Sequence, residues 1–341
     1  MQLKSNLPVI NTRHSAIPMQ DKNARFQLVV MIKYTFEIGE DGGVLPAEKP
    51  AEIDLVDTYA GEDAALASIL RPSQLFDTKP GTDVILLGHA QPPAGARASS
   101  VDVRLRVGDA IDKTVRAHGL RVWQRGGRYG IRPGPALPMR EPVPLIYELA
   151  WGGMDLDDPA DPVGEPRNYV GRGISRNPKS LVDTPAAQLE DPRQPIDGST
   201  NVPAAFNPIH RHWLPRRNYA GTYDERWVDD RLPLLPEDFD TMFHVSVPSD
   251  QWSQVPLRSD VPVEVYGVSK TGVWRFSLPR ISPGISSFVG WRREEHRTHL
   301  DTMLIDADNG QVELTWRAAI RLPAKLEQLD KVHIFEKSVV G

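Results

Sequence analysis

The chain contains no cysteine. Disulfides, thiolate metal sites and thiol catalysis are therefore excluded together. It also lacks a run approaching the ~20 apolar residues of a membrane span, and its first residues, Met1 to Pro8, carry no apolar signal-peptide core. We expect a cytoplasmic protein with no membrane partner. Neither sign of charge dominates: 40 basic and 45 acidic residues leave a net charge of −5. With no long run of one sign there is no footprint for a polyphosphate backbone, so nucleic acid is not expected as a partner. Helical signals are scarce as well, the candidates being Glu62 to Leu70, which stops before Pro72, and residues 324 to 330.

The chain is rich in proline, with 31, alongside 26 glycines. Proline neither donates to a sheet ladder nor continues a helix, so turns and long ordered loops must be numerous. At 341 residues, 40% hydrophobic and 25% charged, the chain has the make-up of a globular protein that buries roughly three quarters of its unfolded surface.

The apolar pattern has period two. Phe26, Leu28, Val30, Ile32, Tyr34, Phe36 and Ile38 alternate with mostly polar residues and predict a half-buried strand running into a hairpin at Asp41-Gly42-Gly43. Val101, Val103, Leu105 and Val107 alternate again, and Val84 to Leu87 reads as a strand covered on both faces. Further on, Val261 to Val265 and Trp274 to Leu278 flank a turn at Ser269 to Gly272. Met303 to Ile305 and Val312 to Trp316 flank Asp308-Asn309-Gly310, where Asn-Gly predicts a two-residue type I′ turn. The fold class is mainly β: antiparallel sheets, sandwich-like, with long ordered loops and few short helices. We expect one domain over 1–341, with sheet-rich parts at 1–150 and 251–341. Between them lies an irregular stretch, 151–250, whose Trp151, Trp213 and Trp227 argue for order rather than disorder.

Motifs for chemistry fail one by one. Lys79-Pro80-Gly81-Thr82 lacks the glycine loop of a phosphate cradle, and Gly171-Arg172-Gly173 lacks the third glycine of a dinucleotide site, so each reads as a tight turn. No Gly-x-Ser-x-Gly elbow occurs. His210-Arg211-His212 offers two imidazoles without a third ligand. Asp155, Asp157, Asp158 and Asp161 miss EF-hand spacing and read as a solvated acidic loop. Glu237, Asp238 and Asp240 suit a turn or helix start better than a catalytic dyad.

Several segments in order carry a resemblance. They include Lys33-Tyr34-Thr35-Phe36, Lys79 to Val84, Pro144 to Gly153 with Tyr147, Glu148 and Trp151, Asn168 to Gly173, Leu189 to Pro192 and Pro203 to Phe206. The most specific block follows: Trp213, Arg216, Ala220 to Asp224, Trp227, Arg231 to Asp240, Phe243 and Asp250-Gln251. Leu300-Asp301-Thr302 and Trp316-Arg317 close the match. Together these resemble the bacterial family of domain of unknown function 2169, encoded beside type VI secretion effectors. Departures are Tyr169-Val170 in place of Pro-Val, Trp151 where phenylalanine is commoner and Asn207 where glycine is commoner.

The resemblance implies an effector chaperone or adaptor: a non-enzyme without cofactor or metal that binds a cognate type VI effector and helps load it onto the spike protein. The residues it singles out for partner binding or as signature are Lys79, Asp83, Tyr147, Glu148, Trp151, Trp213, Arg216, Thr222, Tyr223, Asp224, Trp227, Asp238, Asp240, Asp250 and Gln251. The same residues suit a structural role, with Asp224 and Asp240 accepting backbone hydrogen bonds and Arg216 pairing with a buried carboxylate. The alternatives are a hydrolase or lyase with its site in the 213–251 block and a structural component of the secretion particle.

Overall fold

A computed structural model describes residues 1–8, 11–39, 41–128, 130–197, 201–269, 272–322 and 329–337. Three sheets carry the chain. The largest has seven strands, ordered Trp252–Ser253, Thr82–Leu87, His299–Asp306, Gln311–Arg321, Phe26–Ile38 and Thr12–Gln20, with Val44–Pro46 also paired to Phe26–Ile38. Its one parallel pair joins Thr82–Leu87 to His299–Asp306. A five-stranded antiparallel sheet runs Leu189–Glu190, Ile111–His118, Ser100–Val107, Pro262–Tyr266 and Val273–Ser277. The third has four strands, Gln2–Ser5, Lys331–Glu336, Pro283–Val289 and Arg292–His296. All three feed one apolar cluster: Leu28, Val30 and Ile32 from the first, Val103 and Leu105 from the second, Ile285 and Val332 from the third. Each such side chain contributes about 1.5–3 kcal/mol by leaving water.

The period-two strand is there, but half-burial was the wrong expectation. Every residue from Leu28 to Phe36 is buried. The odd-numbered set, including Lys33 and Thr35, lies beneath residues 47–79: Lys33 Nζ donates to the Glu52 carbonyl at 2.7 Å, and the Ala51 amide donates to Thr35 Oγ1 at 2.9 Å. Neighbouring strands continue this covered polar layer with Glu313, Thr315 and Arg317, then Asp301, Thr302 and Asp83, all buried.

Four other expectations need correction. The Asn-Gly hairpin is closed by four residues, since Asp306 pairs with Gln311, and only Gly310 takes a positive φ, 66°. Asp306 accepts the Asn309 amide at 3.0 Å and its Nδ2 at 2.8 Å, which holds Asn309 out of the left-handed region. In place of a helix over 62–70 stand one 3₁₀ turn, Ala64–Leu66, capped by Asp63, and a strand, Ile69–Arg71. The Glu148 carboxylate takes both the amide and the hydroxyl of Ser68, so tertiary bonds override local propensity. The expected helix at 324–330 lies largely outside the described residues, as do two residues of the 269–272 turn.

Arg172–Gly173 is no turn but an extended pair, parallel to Trp151–Gly152. A Cβ on Gly173 would sit 2.3 Å from the Trp151 ring, so only glycine fits. Asp155, finally, is 7% exposed, not solvated. It accepts the amides of Asp157 at 3.0 Å and Arg176 at 2.8 Å, which ties the loop to the chain beyond it.

Glu190 anchors the edge of the five-stranded sheet. It meets His118 Nε2 at 2.7 Å and accepts from Arg121 Nη2 at 3.1 Å. Burial pushes its carboxyl up, but the His118 hydrogen bond and the Arg121 charge win and hold it at about 2. A carboxyl lowered on folding stabilises above its unfolded value of 4.5, and that contribution is lost as pH falls through about 2. Acid unfolding of Glu190→Gln should therefore differ most from wild type near neutrality and converge with it over that window. A difference constant with pH would count against this assignment.

Candidate functional site

The irregular stretch 151–250 is ordered mainly by side chains that reach across to the sheets, and most of the signature residues are among them. Asp83 is the first anchor. Its Oδ2 accepts from Lys79 Nζ at 2.7 Å, from the Ser246 amide at 2.8 Å and from the Ser246 hydroxyl at 2.7 Å. Lys79 also donates to Thr302 Oγ1 at 3.2 Å. Beside it, Arg317 pairs with Asp301 at 2.6 Å, donates to the Phe76 carbonyl at 2.8 Å and lies over the Phe76 ring. His244 stacks on the same ring at 4.9 Å. Burial first, then the positive charges of Lys79, Arg216 and Arg317, push His244 down to about 3, so the ring is neutral at physiological pH. Val245 and Val247 close over Ile85 and Leu304 on the same face.

Gln251 is the second anchor. Its Nε2 donates to the carbonyls of Val84 and Phe206, each at 2.9 Å, and its Oε1 accepts from Lys113 at 2.7 Å. Asp250 gives the same buried Lys113 a counter-charge at 3.0 Å. Trp213 is buried edge-on to Tyr147 at 5.4 Å, and burial pushes the Tyr147 phenol up. Glu148 clamps Ser68, as described, and Trp151 meets Trp123 edge-on at 5.9 Å. Asn207 uses its amide to donate to the Ile69 carbonyl at 3.1 Å.

Among the described residues, Arg216 pairs with no carboxylate. It donates to the carbonyls of Phe243 at 2.8 Å and Ile209 at 2.9 Å and packs on the Phe243 ring. Burial, with Arg211 adding to it, pulls its pKa down to about 10, which leaves it charged at neutral pH. Two bare carbonyl acceptors within a folded loop do the work expected of a carboxylate.

The remaining signature residues build an outer ledge. Asp224 caps the only α-helix among the described residues, Glu225–Asp230, by accepting the Trp227 amide at 2.9 Å. Asp240 accepts the Met242 amide at 2.9 Å, and Asp238 accepts the amide of Thr222 at 2.9 Å and its hydroxyl at 2.8 Å. The predicted capping roles of Asp224 and Asp240 are thus what the geometry contains. Tyr223 packs edge-on to Trp227 at 4.7 Å, and Trp227 Nε1 donates to the Leu234 carbonyl at 2.9 Å. Lys22 and Arg231 exchange bonds with the carbonyls of Phe239 and Lys22, which fastens the ledge to the turn after the edge strand Thr12–Gln20. Tyr223 is 52% exposed, Val228 51% and Leu232 57%.

The signature therefore separates into a buried base and an exposed ledge rather than converging on one cavity. A small cleft of about 200 Å³ lies between Trp227 and Asp238, and its Asp224 and Asp238 carboxylates are already taken by backbone amides. His210 and His212 lie 5.3 Å apart, with His210 between Tyr59 and Trp213, and Arg211 pairs with Asp57. Among the described residues no three His, Asp or Glu side chains are placed to hold a metal ion. No helix there is long and apolar enough to cross a membrane. Of the buried partners that residue reading missed, Lys113 sits between the polar Asp112 and Thr114 and is unmarked, while Ser246 and, under the 47–79 loop, Glu313 are single polar residues between apolar ones. That isolation is the one signal of these two in the sequence.

No curated protein and no solved structure matches the chain. A family profile described as an uncharacterized protein conserved in bacteria, domain of unknown function 2169, matches residues 23–317. That span takes in the whole buried base, the ledge, the five-stranded sheet, the seven-stranded sheet except Thr12–Gln20 and the end of Gln311–Arg321, and two strands of the third sheet, and the chain belongs to this bacterial family.

Proposed function

We propose that the protein is a binding protein, a chaperone or adaptor that holds a cognate type VI secretion effector in the cytoplasm of the producing cell and helps load it onto the spike. The observation that carries a binding role is the ledge: Tyr223, Val228 and Leu232 present apolar surface to solvent from a helix and loops fixed by side-chain caps. Preorganised aromatic and aliphatic anchors of this kind lose little entropy on docking. The resemblance of the same block to effector chaperones supplies the class of client. Turnover is the weaker reading, because the carboxylates of the 213–251 block cap backbone amides instead of facing a shared pocket.

Co-expression with the effector encoded beside the gene should give a soluble complex that survives purification at low salt. Tyr223→Asp combined with Leu232→Asp should abolish co-purification while leaving the thermal midpoint within a few degrees of wild type, since both side chains are solvent-exposed. A complex that forms equally well with this variant would remove the ledge from the interface.

A further inference from the structure

Of the eight tryptophans, seven are buried or half-buried, whereas Trp291 is 98% exposed. It stands with Gly290 in the two-residue turn that joins Pro283–Val289 to Arg292–His296, the outermost strand of the four-stranded sheet. The tip is held in place: Gly290 takes a φ of 57°, and its amide donates to Asp330 Oδ2 at 2.6 Å. An indole spread in water on a fixed tip has the chemistry and the rigidity of an interface anchor.

Below the tip the strand offers main-chain bonds as well. The Phe288 carbonyl accepts the Asp330 amide at 3.0 Å, so Phe288 directs its polar groups toward the other side of its strand, and the N–H and C=O of Arg293, its cross-strand partner, point away from the sheet. By the alternation of an antiparallel pair, those of Glu295 do likewise. No described strand pairs with that side. The other edges of five or more residues in the three sheets are not open in this way: Thr12–Gln20 carries Pro18, and the Gly42 backbone packs on the Arg275 carbonyl of Val273–Ser277.

Charge decides which strand fits there. Arg292-Arg293-Glu294-Glu295 is exposed throughout and reads cations first, anions second. Laid antiparallel on a copy of itself, the outward pair Arg293 and Glu295 meets Glu295 and Arg293, whereas laid parallel in register like meets like. Within one chain Arg293 and Glu295 already pair at 2.6 Å, so the two copies would join two such pairs into a ring of alternating charge. The same register puts the two Glu294 side chains at the two-fold axis, each diagonal to the copy's Arg292. It also brings Trp291 level with the copy's Arg297, on the rim of an open groove of about 740 Å³ where Leu257, Pro279 and Ile281 are only half-buried. A second copy thus supplies apolar surface beside the indole. An anionic lipid surface fits the tip less well, because Glu294, Glu295 and Asp330 crowd around it.

We infer that two copies of the chain pair antiparallel through Arg292–His296, forming one continuous sheet across a two-fold axis with Trp291 of each covered by the other. This interface shares no residue with the ledge, and it does not depend on the effector reading.

Sedimentation of the full chain over a concentration series should show a reversible dimer of twice the 38.0 kDa chain mass. Trp291→Ser, Arg293→Glu and Glu295→Arg should each weaken it about tenfold or more with the thermal midpoint kept, since all three side chains are exposed. Mixing tests the register: equal amounts of Arg293→Glu and Glu295→Arg set opposite charges across the axis again and should restore association, although each variant alone sets like against like. A monomer at every concentration, with or without capture of phosphatidylserine vesicles by Trp291, overturns the proposal. So does a dimer indifferent to Trp291→Ser, or a mixture that associates no better than its components. A dimer that behaves as expected while the effector fails to co-purify would sink the effector reading and leave this interface standing, and a monomer that binds the effector would do the reverse.

Discussion

Lys33→Met is expected to lower the unfolding free energy by about 3 kcal/mol, the lower end of what breaking a buried ion pair costs. Lys33 has no exposed side-chain surface and meets Asp54 at 2.7 Å and Glu313 at 3.0 Å. Arg71 also binds both carboxylates, so the variant leaves two negative charges to a single cation beneath the 47–79 loop. That surviving cation is why the lower end applies. Removing charge in balance, as Lys33→Met with Glu313→Leu, should recover most of the loss, because the Arg71–Asp54 pair remains complete. Urea unfolding measures both. The loop gives a second readout: Leu55 and Val56 are exposed at its surface, and proteolysis there should quicken in the single variant and return toward wild type in the double. If single and double variants are equally destabilised, charge balance is not what holds the loop.

The same residue shows where sequence reading succeeds and where it stops. The strand Phe26–Ile38 was legible because alternation fixes both the element and which side chains enter the apolar cluster. Its other face was not legible. A lysine and a threonine between apolar residues look solvent-facing, and the Glu313 that makes burial of Lys33 tolerable lies 280 residues further on. The hairpin at 41–43 followed from glycine and the pairing of Pro262–Tyr266 with Val273–Ser277 from alternation, but the Asn309-Gly310 turn was misassigned because the Asp306 side chain, not the dipeptide, sets its geometry. In the candidate site the caps at Asp224 and Asp240 were readable from local spacing. Arg216 was not: its acceptors are main-chain carbonyls, which leave no mark on composition. The division of the signature into base and ledge could not be read either, since both halves interleave along one stretch of chain.

Asp83→Ala should be the most destabilising change in that base, costing about 3–5 kcal/mol. Asp83 is fully buried, and one of its oxygens serves Lys79 and both polar groups of Ser246. Its loss strands the Lys79 ammonium, itself buried, with Thr302 as its only remaining hydrogen-bond partner among the described residues. Lys79→Met together with Asp83→Leu removes both charges and should cost markedly less than Asp83→Ala alone, a coupling that a double-mutant cycle measures directly. Hydrogen exchange locates the effect: the Ser246 amide, which donates to Asp83, should lose protection in either form, while amides of the Ser100–Val107 hairpin keep theirs. The ledge depends on this base through the segment from Phe239 to Val247. Asp83→Ala should therefore weaken client binding by releasing the platform, with a lowered unfolding midpoint, whereas Tyr223→Asp with Leu232→Asp should weaken it with the midpoint kept. Binding that survives Asp83→Ala at temperatures where the protein stays folded would show that the ledge holds its shape without the buried charges below it.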